Sequence, residues 1–313
     1  MMQNNKLIKI ATRNNRLAIS EACFVKSKLE DLYPKLNIEI FSFKTKGDRM
    51  LEGVDEYADY RGLYTEELAE RLIYNEVDLA VHAMKDMPMN IMPGLCIGAI
   101  LEREVSLDCF VSNKYSSIYD LPEGAVVGAS GPRRRAQILD LCKGKVKVVN
   151  LKGNIQSRID KVDRKEFDAI IIGVSDLKFL NMQDRIMQTF TVDEMLPSAC
   201  QGVIGIPCRK EEEYFINLLR PLHHKKTAAC VLAERSLLQN LRVNINTPVA
   251  AFAEYKGQNI CLKALVASID GKKILRAELT ANDDDPNSLG ALVAEQLIKL
   301  GADKIIKECI RVR

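Results

Sequence analysis

Twelve consecutive residues, Val77-Asp78-Leu79-Ala80-Val81-His82-Ala83-Met84-Lys85-Asp86-Met87-Pro88, constrain this chain more than any other stretch. The first half is short, mostly apolar and partly β-branched, which predicts a strand buried on both faces in a parallel sheet. The character then changes. Lys85 and Asp86 set a cation and a carboxylate side by side at the end of the run, and Pro88 stops anything regular from continuing. Open α/β sheets bind ligands in the crevice beyond the carboxyl ends of their parallel strands, so this pair stands where such chains do their chemistry. Taken alone, a Lys-Asp pair is also what a solvated loop start looks like; the remaining strand ends decide between the two.

Leu7 to Ala11 predicts a first strand, and Ala18, Ala22, Val25, Leu29 and Leu32 recur at helical spacing until Pro34. The loop between them places Arg13 at a strand end and at a helix N-terminus, where free N–H groups and the helix dipole favour an anion. Ile38 to Phe43 predicts a second strand. Residues 50 to 60 carry Glu52, Asp55, Glu56 and Asp59 with few apolar anchors, which predicts a mobile loop. Leu63 to Asn75 reads as a helix and Leu95 to Leu101 as a further buried strand.

From Asp108 a second alternation begins. Ala125 to Gly128 predicts a strand, and Ser130-Gly131-Pro132 opens a helix with proline in its first turn. Arg133, Arg134 and Arg135 follow, three cations at the positive end of a helix dipole, which predicts an anion beside them. Lys145 to Asn150 is another strand, followed by Lys152-Gly153-Asn154 and a helix carrying Arg158; Asp168 to Val174 is strongly apolar. Val203 to Cys208 is expected to return to the first sheet, giving crossings near 102–106 and 197–202 and a hinged cleft. After Pro221 a helix, three grouped strands and two helices predict a small α+β domain. The expected fold class is therefore α/β with three domains: 1–102 with 203–220, then 107–196, then the α+β domain 225–313.

At 313 residues the chain suits two or three domains, and 47% hydrophobic residues provide for their cores. A net charge of +3 and basic stretches without interleaved aromatics give no field or stacking surface for nucleic acid. Nine cysteines, an odd number with no Cys-x-x-Cys pair, suggest neither a disulfide framework nor a metal site. A polar N-terminus and the lack of a long apolar run predict a cytoplasmic protein that does not enter a membrane.

The strand ends thus gather Arg13, Lys85, Arg133, Arg134, Lys152 and Arg158, with Asp86 as the carboxylate among them, and with Asn15 and Ser130 as possible polar contacts. Guanidinium groups bind carboxylates in a two-pronged fashion, so the set fits a ligand with several carboxylates or phosphates. An aspartate surrounded by cations stays ionised and is suited to steadying a developing positive charge or moving a proton.

The residues that carry these features also carry a resemblance. Ala11-Thr12-Arg13, the block from Val81 to Pro88, Arg133-Arg134, Lys152-Gly153-Asn154 with Arg158, and Leu196-Pro197 with Gln201-Gly202 resemble the porphobilinogen deaminase (hydroxymethylbilane synthase) family. The resemblance implies a three-domain fold, two of the domains like periplasmic binding proteins. It implies head-to-tail condensation of four porphobilinogen units, each losing ammonia, to a linear tetrapyrrole on the way to porphyrins and haem. In the family the aspartate corresponding to Asp86 contacts pyrrole N–H groups and stabilises cationic intermediates. The arginines corresponding to Arg13, Arg133, Arg134 and Arg158 hold acetate and propionate side chains. The chain grows on a dipyrromethane cofactor tethered by a thioether to a cysteine in the third domain; a monomer acting on small-molecule porphobilinogen is expected.

Several positions depart from the family pattern. Ile245 stands at the attachment cysteine, within Val243-Asn244-Ile245-Asn246-Thr247-Pro248, and isoleucine forms no thioether. Asn15 replaces a serine and Lys152 an arginine, Arg61 stands where lysine is usual, and Ala129 and Gly131 replace hydroxyl-bearing residues. Three readings follow. In the first the chain is a deaminase whose primer is held without a covalent bond or through another thiol such as Cys200, Cys230 or Cys261; in the second it is a non-catalytic paralogue binding pyrrole carboxylates; in the third it is a binding protein for an unrelated small polyanion.

Overall fold

The computed structural model describes residues 7–51, 62–243 and 246–311, so most of the acidic 50–60 stretch, Arg61 and Ile245 lie outside the described residues. The chain divides into two compact units, Met1–Glu104 with Val203–Ala228, and Val105–Gly202 with Ala229–Arg313.

In the first unit β1 (Leu7–Arg13) leads into α1 (Arg16–Leu32), then β2 (Asn37–Phe43), the short α2 (Lys46–Leu51) and α3 (Glu66–Ile73). The expected strand over 77–83 forms as two short pieces, β3 (Leu79–Ala80) and β4 (His82–Ala83), followed by a single 3-10 turn over Met84–Asp86 and by β5 (Leu95–Ile100). β1 pairs in parallel with both β2 and β3. The run from Val77 to His82 is almost wholly buried, as its composition requires.

The second unit opens with β6 (Asp108–Val111), β7 (Val126–Ala129) and α4 (Pro132–Leu141), then β8 (Lys147–Asn150), α5 (Ile155–Asp163), β9 (Ala169–Gly173), α6 (Val174–Phe179) and β10 (Gln188–Thr189). The sheet order is β10-β6-β9-β7-β8, with β7 parallel to β8 and β9. Every residue of β9 is buried. Ala169 and Ile171 enter one core with Phe110 and Ile138, whereas Ile170 and Ile172 enter another with Ile155 and Ile159. The alternation of side chains across a strand thus covers both faces with helices.

The chain then returns as β11 (Ile204–Arg209) and α7 (Glu213–Leu219). β11 completes the first sheet, as expected, but runs antiparallel to β3, β4 and β5. The first sheet is therefore mixed rather than parallel. Segment 79–83 lies between β1, which takes the Val81 N–H on Ala11 O at 2.9 Å, and the opposed β11. Periodicity within one strand carries no information about the direction of its neighbour.

After α8 (Lys225–Leu241) come β12 (Val249–Lys256), β13 (Asn259–Ala267) and β14 (Ile274–Asn282), an antiparallel meander, then α9 (Pro286–Lys299) and α10 (Ala302–Arg311). One face of this sheet packs Ala251, Ala253, Leu262 and Val266 against Leu237, Leu289, Val293 and Ile305 of the helices. The other packs Ala250, Phe252, Leu265 and Ala267 against Ala136 of α4 and Leu196. The fold is α/β, with two sheet-and-helix domains and a small C-terminal domain that carries its own sheet.

Candidate active site

In the first unit the carboxyl ends of β1 and β4 bring Arg13 and Asp86 together. Arg13 Nη1 stands 3.5 Å from Asp86 Oδ2, whose side chain is 36% exposed. Lys85 is half-buried on the same 3-10 turn. The turn is fixed from below by Met84 N–H, which donates to Val203 O at 2.8 Å.

Arg13 has a second anionic partner that the sequence reading passed over. Its Nε and Nη2 donate to Asp48 Oδ1 at 3.2 and 2.5 Å, and its guanidinium carbon lies 3.9 Å from the centre of the Tyr64 ring. Burial alone would lower the arginine's pKa, but the Asp48 hydrogen bond and the charges of Asp86 and Asp48 outweigh it and the net shift is upward. Burial likewise works against an ionised Asp48, and the hydrogen bonds from Arg13 and Thr45 reverse it, so its carboxyl lies below the ordinary range. The signal was present in the sequence: Thr45-Lys46-Gly47-Asp48 has capping-box spacing directly after a strand. Asp48 N donates to Thr45 Oγ1 at 3.2 Å while Thr45 N donates to Asp48 Oδ2 at 3.1 Å. Gly47 lets the Tyr64 ring approach, since a Cβ there would sit 2.5 Å from it.

His82, 5% exposed, faces inward on β4. Burial, aided by the charge of Arg13, lowers its pKa to about 3, so the ring is neutral. Asn15 caps α1, its Oδ1 accepting from Ala18 N at 2.9 Å.

In the second unit the anion expected beside the arginine run is Asp108, which is wholly buried at the start of β6. Arg133 Nη1 lies 2.7 Å from Asp108 Oδ2 and Arg134 Nη2 2.8 Å from Oδ1. Burial opposes the ionised carboxylate, yet the two guanidinium groups hold Asp108 well below the ordinary carboxylate range. Arg133 also donates to Leu196 O at 2.8 Å and to Gln201 Oε1 at 3.3 Å; Gln201 Nε2 donates to Asp108 Oδ1 at 2.9 Å and to Ser106 O at 2.6 Å. Arg135 turns away to Val148 O. Ser130 Oγ donates to Leu151 O at 2.5 Å. Arg158 Nε donates to Gly153 O at 2.7 Å, folding the arginine back over the loop that carries Lys152, whose own carbonyl takes Lys161 Nζ at 3.3 Å. Asp108 and Gln201 are neighbours of the arginine pair that periodicity could not supply, because each is polar where the pattern asks only for burial.

Residues 8–217 match the family model "Porphobilinogen deaminase, dipyromethane cofactor binding domain", and residues 228–299 match "Porphobilinogen deaminase, C-terminal domain". The chain belongs to the porphobilinogen deaminase family. It is 38% identical over 305 residues, 97% of this chain and 98% of the other, to the porphobilinogen deaminase of Methylobacillus flagellatus. Among solved structures it is similar to an ABC transporter periplasmic substrate-binding protein from Coxiella burnetii (14% identity, TM-score 0.44, 71% of this chain and 94% of that one). It is likewise similar to a nutrient binding protein from Burkholderia cenocepacia bound to methionine (15% identity, TM-score 0.43, 70% and 93%).

The cofactor-binding match of the deaminase family spans Arg13, Lys85, Asp86, Arg133, Arg134, Lys152 and Arg158. Within the first unit the donors suit part of a dipyrromethane: Arg13 and Lys85 are cations fit for its carboxylates, and Asp86 is an acceptor fit for pyrrole N–H groups. The three thiols considered for its attachment are poorly placed for nucleophilic work. Cys200, Cys230 and Cys261 are 2%, 5% and 0% exposed. Burial raises the Cys261 pKa further, and its Sγ donates to Glu278 Oε1 at 3.0 Å. No helix among the described residues is long and apolar enough to cross a membrane.

Proposed function

We propose that the chain is a working porphobilinogen deaminase that condenses four porphobilinogen units head to tail into hydroxymethylbilane. The observation that carries the reading, beyond family membership, is the facing of Arg13 and Asp86 at 3.5 Å on adjoining strand ends. Each condensation breaks the C–N bond of an aminomethyl group, releasing ammonia, and joins that methylene carbon to a pyrrole α-carbon, which gives up its proton. Positive charge develops on the substrate's methylene-bearing pyrrole as ammonia leaves, and an ionised carboxylate beside it lowers that barrier. Asp86 takes this role and accepts the pyrrole N–H.

Arg13, Lys85, Lys152 and Arg158 hold acetate and propionate groups. An arginine has five N–H donors, and Asp108 takes two of those on Arg134, so Arg133 and Arg134 join the set through what their internal partners leave. Dipyrromethane, when bound, supplies the free α-carbon on which the chain grows. With Ile245 at the attachment position and the three alternative thiols buried, the primer is held by its carboxylates alone. The protein acts as a monomer in the cytoplasm.

Purified protein should consume porphobilinogen and yield uroporphyrin after acid and oxidation. Asp86→Ala should lower turnover by at least about 100-fold, in line with loss of a charge-stabilising group. After denaturation the polypeptide should show its bare sequence mass, whereas a mass increased by two pyrrole units would mean a covalent primer. Absence of turnover together with tight porphobilinogen binding would refute the enzyme reading.

A further inference from the structure

We infer that Asp48 is a positioning residue for the deaminase reaction, clamping Arg13 from behind so that its Nη1 edge faces Asp86; this rests on the deaminase reading of the site. Three observations converge on it. Arg13 spends Nε and one Nη2 hydrogen on Asp48, at 3.2 and 2.5 Å, which fixes the plane of the guanidinium. The ring of Tyr64 covers one face of that plane at 3.9 Å, and Gly47, between Asp48 and the backbone turn, leaves room for the ring. Asp48 is itself immobilised, taking hydrogen bonds from Thr45 N at 3.1 Å and Thr45 Oγ1 at 2.7 Å, with Thr45 fully buried.

A guanidinium held at two donors and one face has one edge left to turn outward. That edge is Nη1, 3.5 Å from Asp86 Oδ2. A flexible arginine side chain without the clamp has many rotamers, and ordering it at each condensation costs entropy that the clamp removes in advance. Asp48 touches neither substrate nor reacting atoms, so it acts on the reaction through Arg13.

The test is a double-mutant cycle with a spectroscopic arm. Asp48→Asn should lower kcat/KM for porphobilinogen by about 10- to 100-fold, the scale of a misplaced binding group. Asp48→Glu should recover part of the loss. In an Arg13→Lys background the same Asp48→Asn change should cost less than about threefold, because lysine has no fork for Asp48 to hold. A merely structural Asp48 would lower activity by the same factor in both backgrounds, and that result, or unchanged kinetics in Asp48→Asn alone, overturns the proposal. Should Asp48→Asn fail to fold by circular dichroism, Thr45→Val, which removes the 2.7 Å hydroxyl bond to Asp48, replaces it in the same cycle.

The spectroscopic arm needs no turnover. Wild-type protein should show a slowly exchanging arginine Nε–H resonance that vanishes in Arg13→Lys and shifts in Asp48→Asn. Lack of such a resonance refutes the clamp. Its presence in a protein that leaves porphobilinogen unchanged would instead strike only at the deaminase reading.

Discussion

Asp108 and Asp48 both steady arginines, but in different settings. Asp108 is wholly buried between two buried guanidinium groups, where removing one partner strands the others' charge. Asp48 lies at a half-covered helix start and draws on a capping box. His82 sits beside this second cluster, and its buried ring has a measurable consequence. Its folded pKa of about 3 lies below the ordinary value of 6.5, so between those pH values the unfolded chain binds a proton there that the folded chain does not. The contribution is fully present above pH 6.5 and is lost as pH falls toward 3, at up to about 1.4 kcal/mol per pH unit. In urea titrations from pH 7 to pH 4, His82→Gln should show a shallower decline of stability than wild type, by about one proton. An unchanged slope would mean that His82 is protonated in the folded protein.

At the scale of elements, what the sequence made legible follows the kind of signal each residue carries. Period-3.6 spacing located α1, and the strongly apolar run over 168–174 located β9, because burial writes itself directly into hydrophobic pattern. The split of the 77–83 strand and the opposed direction of β11 were not legible, since both depend on pairing partners distant in sequence. The cations at predicted strand ends were legible one by one, Gln201 only through the family resemblance and Asp48 only as the end of a capping box, whereas Asp108 was hidden as an ordinary strand residue until folding brought it to Arg133 and Arg134. Packing between helices was likewise unreadable. Gly290 in α9 is an example: a Cβ there would lie 2.4 Å from Ala233 O and 2.8 Å from Leu237 N, both backbone atoms of α8. The two helices meet at that glycine, so Gly290→Ala, favourable for an isolated helix, should destabilise the protein by about 1–3 kcal/mol through overpacking. Thermal unfolding would register this as a lower Tm, and a raised Tm would mean that α9 moves away without cost.

Across the molecule, the C-terminal sheet and the second α/β sheet belong to one compact unit, and a single buried carboxylate shows how they are tied. Glu234 of α8 is wholly buried; its Oε2 accepts from Cys200 N at 2.6 Å and its Oε1 from Ala253 N at 2.7 Å. One side chain thereby satisfies a backbone donor in the segment that carries Gln201 and another on β12. Gln201 in turn holds Arg133 and Asp108, so Glu234 stands one link behind the arginine pair. Glu234→Leu removes both acceptors and leaves two buried N–H groups unsatisfied, at about 1–3 kcal/mol each. Glu234→Gln keeps one acceptor and sets an NH2 against the other donor, so it should lose roughly half as much. Hydrogen exchange separates a local loss from a shared one. If the tie couples the two sheets, protection in Glu234→Leu falls together at residues 198–202, at the start of β12 and at Arg133 and Arg134 in α4. Loss confined to β12 would mean that the C-terminal sheet opens independently of the segment that holds the arginine pair.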